Sequence, residues 1–429
     1  MKPTEKAKPN ATKQHLFLRL LGPGLVTGAA DDDPSGIATY SQAGAQFGYT
    51  MLWTVFLTTP FMIAIQLISA QIGRVTGKGI VGNVKKFYPM PLVVALVALV
   101  LVANIFNIAA DLGAMGAALE LVVGGLRQEH ALIFAALSVL LQVFVPYRYY
   151  APILKYLTLV LFCYVATAFV VGVPWSEALL ATLWPKPVIN ADYLMMVVAV
   201  LGTTISPYLF FWQAAQEVEE MRMGRKKMPL KALTRGGKAE LDRIMIDTTA
   251  GMVFSNLIAY FIIVATAATL HAHGHVNIGS AAEAAEALRP IAGNLAFTLF
   301  ALGIIGTGLL AVPVLAGSAA YCVAAAFDWR GSLEAKPIQA VGFNAIIAAA
   351  TLVGLALSFS SIDPIRMLVW SAVLNGVVAV PIMVVMMMVA SNGALMGRFK
   401  IHGGLQFFGW GAAVLMAAGV AAMLVSLAL

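Results

Sequence analysis

The chain has 429 residues, of which 60% are hydrophobic and 11% charged, and its mean hydropathy is +0.87. That is too little charge to cover a soluble domain, so the composition excludes a water-soluble globular protein and points to the bilayer. The net charge of +7 would suit a nucleic-acid surface, but its placement along the chain follows membrane topology instead.

Residues 1–16 are polar and basic and lack an apolar signal core, which predicts a cytoplasmic tail and an uncleaved first span. A spanning helix needs about 20 mostly apolar residues. Such runs fall at roughly 17–47, 51–73, 91–123, 130–146, 150–172, 192–217, 244–270, 291–326, 338–358, 364–391 and 405–428, which predicts eleven spans. The loops test this count. If the N-terminus is cytoplasmic, 23 of the 27 Lys and Arg residues fall on the cytoplasmic side, leaving only Arg127, Lys186, Arg289 and Arg366 opposite. The positive-inside rule thus supports an integral inner (plasma) membrane protein with a cytoplasmic N-terminus and an external C-terminus. The longest basic loop, 222–243, is read as a topology anchor, and no nucleic-acid partner is expected. Cys163 and Cys322 lie in apolar runs and read as packing residues.

The first span carries Asp31-Asp32-Asp33 followed by Pro34-Ser35-Gly36. One acid at mid-membrane costs about 2.5–3.5 kcal/mol on insertion scales. Pro and Gly there break the helical ladder, which is tolerated only where the backbone lines a cavity or is buried in protein. A second break of the same kind lies in span six, at Gly202-Thr203-Thr204-Ile205-Ser206-Pro207-Tyr208. Spans one and six open two five-helix halves, and an odd offset inverts the second half. Interrupted helices at matching positions of inverted halves point to a transporter's substrate site. The expected architecture is all-α, a LeuT-type 5+5 inverted repeat: residues 17–172 as the first half, 192–391 as the second, and 405–428 as an extra eleventh helix.

At such breaks, free carbonyls and half-helix ends join side chains in binding cations. Asp31, Asp32 and Asp33 supply anionic oxygen; Thr203, Thr204 and Ser206 supply hydroxyl oxygen. An oxygen-rich set suits Mg, Ca or Mn. Successive helical residues diverge by about 100°, so the three acids cannot all face one point. The alternative for Asp31 and Asp32 is a structural role, capping or pairing a half-helix.

Gly22-Pro23-Gly24, Asp33-Pro34-Ser35-Gly36-Ile37-Ala38-Thr39, and Gln42 to Tyr49 resemble the first helix of the NRAMP family of divalent-metal transporters, in its divergent NRAMP-related branch. The resemblance continues at 202–208, at Asp111-Leu112 in span three and at Asn256 in span seven. It implies that Asp33 is the metal-binding aspartate. It places Gly36 where the family has a ligand asparagine, Ser206 where it has a metal-binding methionine, and Tyr208 where it has a histidine implicated in proton movement. Asp111 is kept, but Ala114 replaces an acid, and in span ten Ala372 falls near an expected glutamine with Asn375 one turn away. Loss of the thioether removes a preference for Mn or Fe over hard cations. Loss of the asparagine frees volume for a partly hydrated ion, and Mg gives up water reluctantly.

The resulting expectation is a transporter, not an enzyme. It moves a divalent cation of the Mg or Mn/Fe class by alternating access, with weak or absent proton coupling and no cofactor beyond the transported ion. Asp33 is the main ligand, assisted by Asp31 or Asp32, Ser206 and the Thr203 carbonyl; Tyr208, Asp111, Asn256 and Asn375 belong to the pathway or its coupling. The alternatives are a proton-coupled Mn/Fe symporter and a cation-coupled symporter of a small organic solute. The residues leave open the metal and the oligomeric state. His271-Ala272-His273-Gly274-His275 reads as a solvated outer loop or a collecting site for metal. Glu217, Glu219 and Glu220 read as a cation vestibule or as partners of Arg222 and Arg225.

Overall fold

The structure is a computed structural model, and it describes residues 22–188, 190–223, 228–233 and 237–428. The expected tail 1–16, and the basic residues 225–227, lie outside the described residues. The helices follow the apolar runs. In the first half they are α1 (Pro23–Asp31), α2 (Pro34–Phe47), α3 (Leu52–Thr76), a short α4 (Ile80–Phe87), α5 (Met90–Val123), α6 (Arg127–Phe144), α7 (Tyr147–Leu157) and α8 (Phe162–Val170). A short α9 (Trp175–Leu183) leads to α10 (Ala191–Thr204) and α11 (Pro207–Met223). The rest are α12 (Lys238–Thr269), short α13 (Ala281–Glu286) and α14 (Arg289–Ala292), then α15 (Ala296–Ala326), α16 (Val341–Ser358), α17 (Pro364–Ser391), α18 (Gly393–Met396) and α19 (Gly403–Ala428).

Eight helical stretches among the described residues are long and apolar enough to cross a bilayer, or nine if Thr158–Val170 and Trp175–Leu183, bent by 115°, are one span. One of these, Pro34–Thr76, contains both α2 and α3. The 18-residue α6, which carries Arg127 and Glu129 in its first turn, is not among these stretches. Apolar-run counting overlooks α4, whose eight residues present one apolar stripe and whose last turn carries Lys85 and Lys86.

The two breaks share one grammar. Two residues leave helical geometry, Asp32-Asp33 in one and Ile205-Ser206 in the other, and a proline then starts the next half-helix. Proline suits the first helical position because its missing N–H is one the helix would leave unpaired anyway. Two groups of helices pack around these breaks. The broken pairs lie with α3 and α12, while α5, α6, α15 and α16 lie against one another. Glycine sets the closest approach between α1 and α12. A Cβ on Gly28 would sit 2.3 Å from the Gly251 carbonyl oxygen, and one on Gly24 would sit 2.6 Å from the Thr248 backbone. Small residues allow such contact between membrane helices.

Candidate functional site

Asp33 is the N-cap of α2. Its Oδ1 accepts hydrogen bonds from the Gly36 N–H and the Ser35 hydroxyl, both at 2.7 Å. A carboxylate at a helix N-terminus also meets the positive end of the helix dipole. Its Oδ2 faces the other broken span: the Tyr208 hydroxyl, in the first turn of α11, lies 3.1 Å from it and 3.1 Å from the Ala30 carbonyl at the end of α1. The two breaks therefore meet at Asp33. Asp33 is 1% exposed and Tyr208 fully buried.

Asp31 and Asp32 turn elsewhere. Ser255 of α12 reaches both, at 2.6 Å to Asp31 Oδ2 and 3.0 Å to Asp32 Oδ1, so one hydroxyl proton is shared between two buried carboxyls. Asp31 Oδ1 and Asp32 Oδ2 have no hydrogen-bond partner among the described residues. Asp111 on α5 is fully buried, with neither carboxyl oxygen bonded, and lies within electrostatic reach of Asp33 and Tyr208. Among the described residues, no three His, Cys, Asp or Glu side chains converge into a ready metal cage.

On the α10 side, Thr203 Oγ1 is buried without a partner, and a Cβ on Gly36 would lie 3.3 Å from it. The glycine at 36 thus lets α2 and α10 pack closely, and a side chain there would press on Thr203. Ser206 is already engaged: its hydroxyl donates to the carbonyls of Thr203 at 2.7 Å and Gly202 at 3.0 Å. In this conformation it caps the end of α10, and the Thr203 carbonyl named as a ligand accepts that bond. Thr204 bonds to the Val200 carbonyl and meets Tyr40 of α2 at 3.2 Å.

Two expected pathway residues bond to partners other than Asp33. Asn256 donates to Thr59 of α3 at 2.9 Å. Asn375 forms a reciprocal amide pair with Asn107 of α5, at 2.8 and 3.1 Å, which ties α17 to α5. Sequence reading passed over Asn107, although a polar residue four positions before Asp111 shares its helical face. It also passed over Ser255, beside the quoted Asn256.

Both ends of the broken first span are held. Gly22, the N-cap of α1, has no side chain to cap with. Asp247 of α12 takes over, accepting from the N–H groups of Gly22 (2.9 Å), Gly24 (2.7 Å) and Leu25 (3.2 Å). One turn before it, Arg243 pairs with Glu217 at 2.9 Å and Glu220 at 3.2 Å, while Glu219 pairs with Arg222 at 3.7 Å. The acids of α11 are thus in ion pairs, with Arg243 in the role expected of Arg225, which lies outside the described residues. At the opposite end of α2, Gln42 bonds to the backbone of Val276 and Ile278, and His271 Nδ1 to the Ala45 carbonyl. His273 Nδ1 is likewise engaged, with the Thr269 carbonyl.

Known proteins bear out the fold. The chain is 27% identical over 406 residues to a divalent metal cation transporter MntH of Klebsiella pneumoniae strain 342, covering 92% of this chain and 90% of the relative. It is 28% identical over 316 residues to MntH of Yersinia enterocolitica, covering 71% and 72%. A manganese transporter of Eremococcus coleocola, crystallised with an aromatic bis-isothiourea compound, superposes with a TM-score of 0.75 at 15% identity, over 99% of this chain and 88% of that one. Mhp1, a nucleobase-cation-symport-1 family transporter, superposes with a TM-score of 0.56 at 15% identity, over 95% and 92%. These likenesses place the chain on the 5+5 inverted-repeat fold, among transporters rather than enzymes. The profile of the natural resistance-associated macrophage protein-like family matches residues 24–426, and the chain belongs to that family.

Proposed function

We propose that the protein transports a divalent metal cation across the inner membrane by alternating access, with its N-terminus cytoplasmic, and that Asp33 is the principal ligand. One observation carries the reading. Two proline-started half-helices meet at a buried carboxylate, with further buried oxygens of Asp111 and Thr203 lacking partners nearby. Burying such oxygens is costly unless they are paired or coordinate a cation. The named relatives are divalent metal cation transporters, which favours the same substrate class here.

The ligand chemistry is all oxygen. Residues 31–36 and 202–208 bring no sulfur or imidazole of their own, and the Met115 thioether of α5 lies beside Pro34. The oxygen donors of the breaks favour a hard cation, Mg over Mn. For Ser206 and the Thr203 carbonyl to join as ligands, the Ser206 cap must first open. Asp31 and Asp32 act from the α12 side, raising the negative potential at the site without sharing Asp33's direction. With Tyr208 and Ala114 where the family has titratable groups, proton coupling is weak or absent. Proton-coupled Mn transport is the second reading, favoured by the retained Asp111.

Isothermal titration of purified protein with Mg2+ and with Mn2+ tests the assignment. Asp33→Ala is expected to weaken binding at least tenfold, the loss of about 1.4 kcal/mol or more. Unchanged affinity would remove Asp33 from the site.

A further inference from the structure

A cavity of about 800 Å3 opens where α4 and the turn before it face α11 and the end of α15. That is the size of a small-molecule site. Its wall carries five cations, Lys78, Lys85, Lys86, Arg222 and Arg330, against two acids, Glu219 and Asp328. Both acids are already committed. Asp328 holds Lys85 in a 2.5 Å ion pair, and the Lys85 hydrogen bond keeps its carboxyl below the usual carboxylate range. Glu219 pairs with Arg222 and accepts from Ser332 at 2.9 Å. Lys78, Lys86 and Arg330 form no ion pair among the described residues and are exposed.

A surplus of three positive charges on one concave wall is unexpected at the cytoplasmic end of a cation pathway. It repels the proposed substrate and attracts anions. The backbone adds to the effect. The start of α4 is Gly77-Lys78-Gly79-Ile80-Val81-Gly82, with Gly79 at the N-cap and no side chain capping the first turn. Its N–H groups and dipole favour phosphate oxygens. A flat surface is also present: Trp329, 45% exposed, stacks on Phe327 with ring centroids 5.3 Å apart. A nucleic base stacks on such a ring.

We propose that this cavity binds a phosphate-bearing anion of nucleotide size and that the bound anion braces α11 against α15 and α4. Arg222 belongs to α11, the half-helix that begins at the substrate break, so occupancy restrains that half-helix and slows transport. The inference rests on the orientation proposed above only for its cytosolic side; binding itself does not depend on it. Two sources carry the same chemistry, a soluble nucleotide or an anionic lipid headgroup.

The test is titration of the full-length protein in detergent with ATP, ADP and inorganic phosphate, EDTA present. Native mass spectrometry after exchange into phosphatidylglycerol or phosphatidylcholine runs in parallel. Saturable ATP binding is expected, weakened about tenfold or more by Lys86→Glu combined with Arg330→Glu and retained by Lys86→Arg combined with Arg330→Lys. Absence of ATP binding, with phosphatidylglycerol retained by the parent and lost by the charge-reversed variant, supports the same site with a lipid as its source. Binding of neither ligand overturns the proposal, as does equal binding by parent and charge-reversed variant. Mn2+ titration of that variant checks its fold, and loss of metal binding by the parent would count against the proposed function alone.

Discussion

At the scale of single residues, Asp33 and Tyr208 act as a pair. Asp33 keeps two bonds from its own half-helix, so its orientation does not depend on Tyr208. Tyr208 adds a link to α11 and to the Ala30 carbonyl. Tyr208→Phe removes that link and nothing else from the carboxylate. It is expected to weaken divalent-cation binding about fivefold, corresponding to a net hydrogen bond of about 1 kcal/mol. Calorimetric titration of the variant checks this, and an unchanged dissociation constant would show that Tyr208 does not position the ligand. Asp33 as an anomaly was legible in the chain, because a carboxylate beside Pro in an apolar run has few structural uses. The separate direction of Asp31 and Asp32 was foreseeable from helical geometry. Their partner was not, because Ser255 is 223 positions away from Asp32.

At the scale of elements, α1 is held by α12. Its N-terminus is capped in trans by Asp247, and glycines set its contact with α12. Loss of a helix cap costs about 0.5–2 kcal/mol. Asp247→Ala is therefore expected to loosen the N-terminal end of α1, and a cysteine at the buried position Ala29 would then react faster with a membrane-impermeant thiol reagent. Equal reaction rates in the two backgrounds would show that the cap does not hold this end closed. Gly28→Val forces a side chain against the Gly251 carbonyl, and overpacking of this kind costs about 1–3 kcal/mol. A lower midpoint in thermal unfolding is the expected outcome. An unaltered midpoint would mean that α1 shifts freely, and the close contact would lose its significance. Spans and breaks were readable from apolar runs and prolines. The capping was not, because Asp247 sits in a helix whose sequence gives no sign that it serves another helix.

At the scale of the whole molecule, this conformation is closed at both ends. Asp247 and the Arg243 ion pairs hold one end of the broken span, and Gln42 and His271 hold the other. With Asp31, Asp32 and Asp33 each at most 1% exposed, water has no access to the carboxylates. In the proposed alternating access, one set of these contacts releases while the other stays. The Asn107–Asn375 pair ties α5 to α17. Proteoliposome flux is expected to show Mg2+ or Mn2+ uptake with little accompanying acidification. Strong acidification, abolished by Asp111→Asn, would favour the proton-coupled reading.

The sequence by itself determined the membrane class, the span positions, the two matching breaks and the family. Each rests on local chemistry: apolar length, loop charge, and proline beside polar residues. Only the tertiary structure decided which oxygens meet. Ser206 turned out to cap α10, Asn256 to bond to Thr59 of α3, Asn375 to pair with Asn107 of α5, and Asp31 and Asp32 to share one serine of α12. These outcomes depend on how distant helices pack, and side-chain direction across such contacts is set by packing rather than by spacing along the chain.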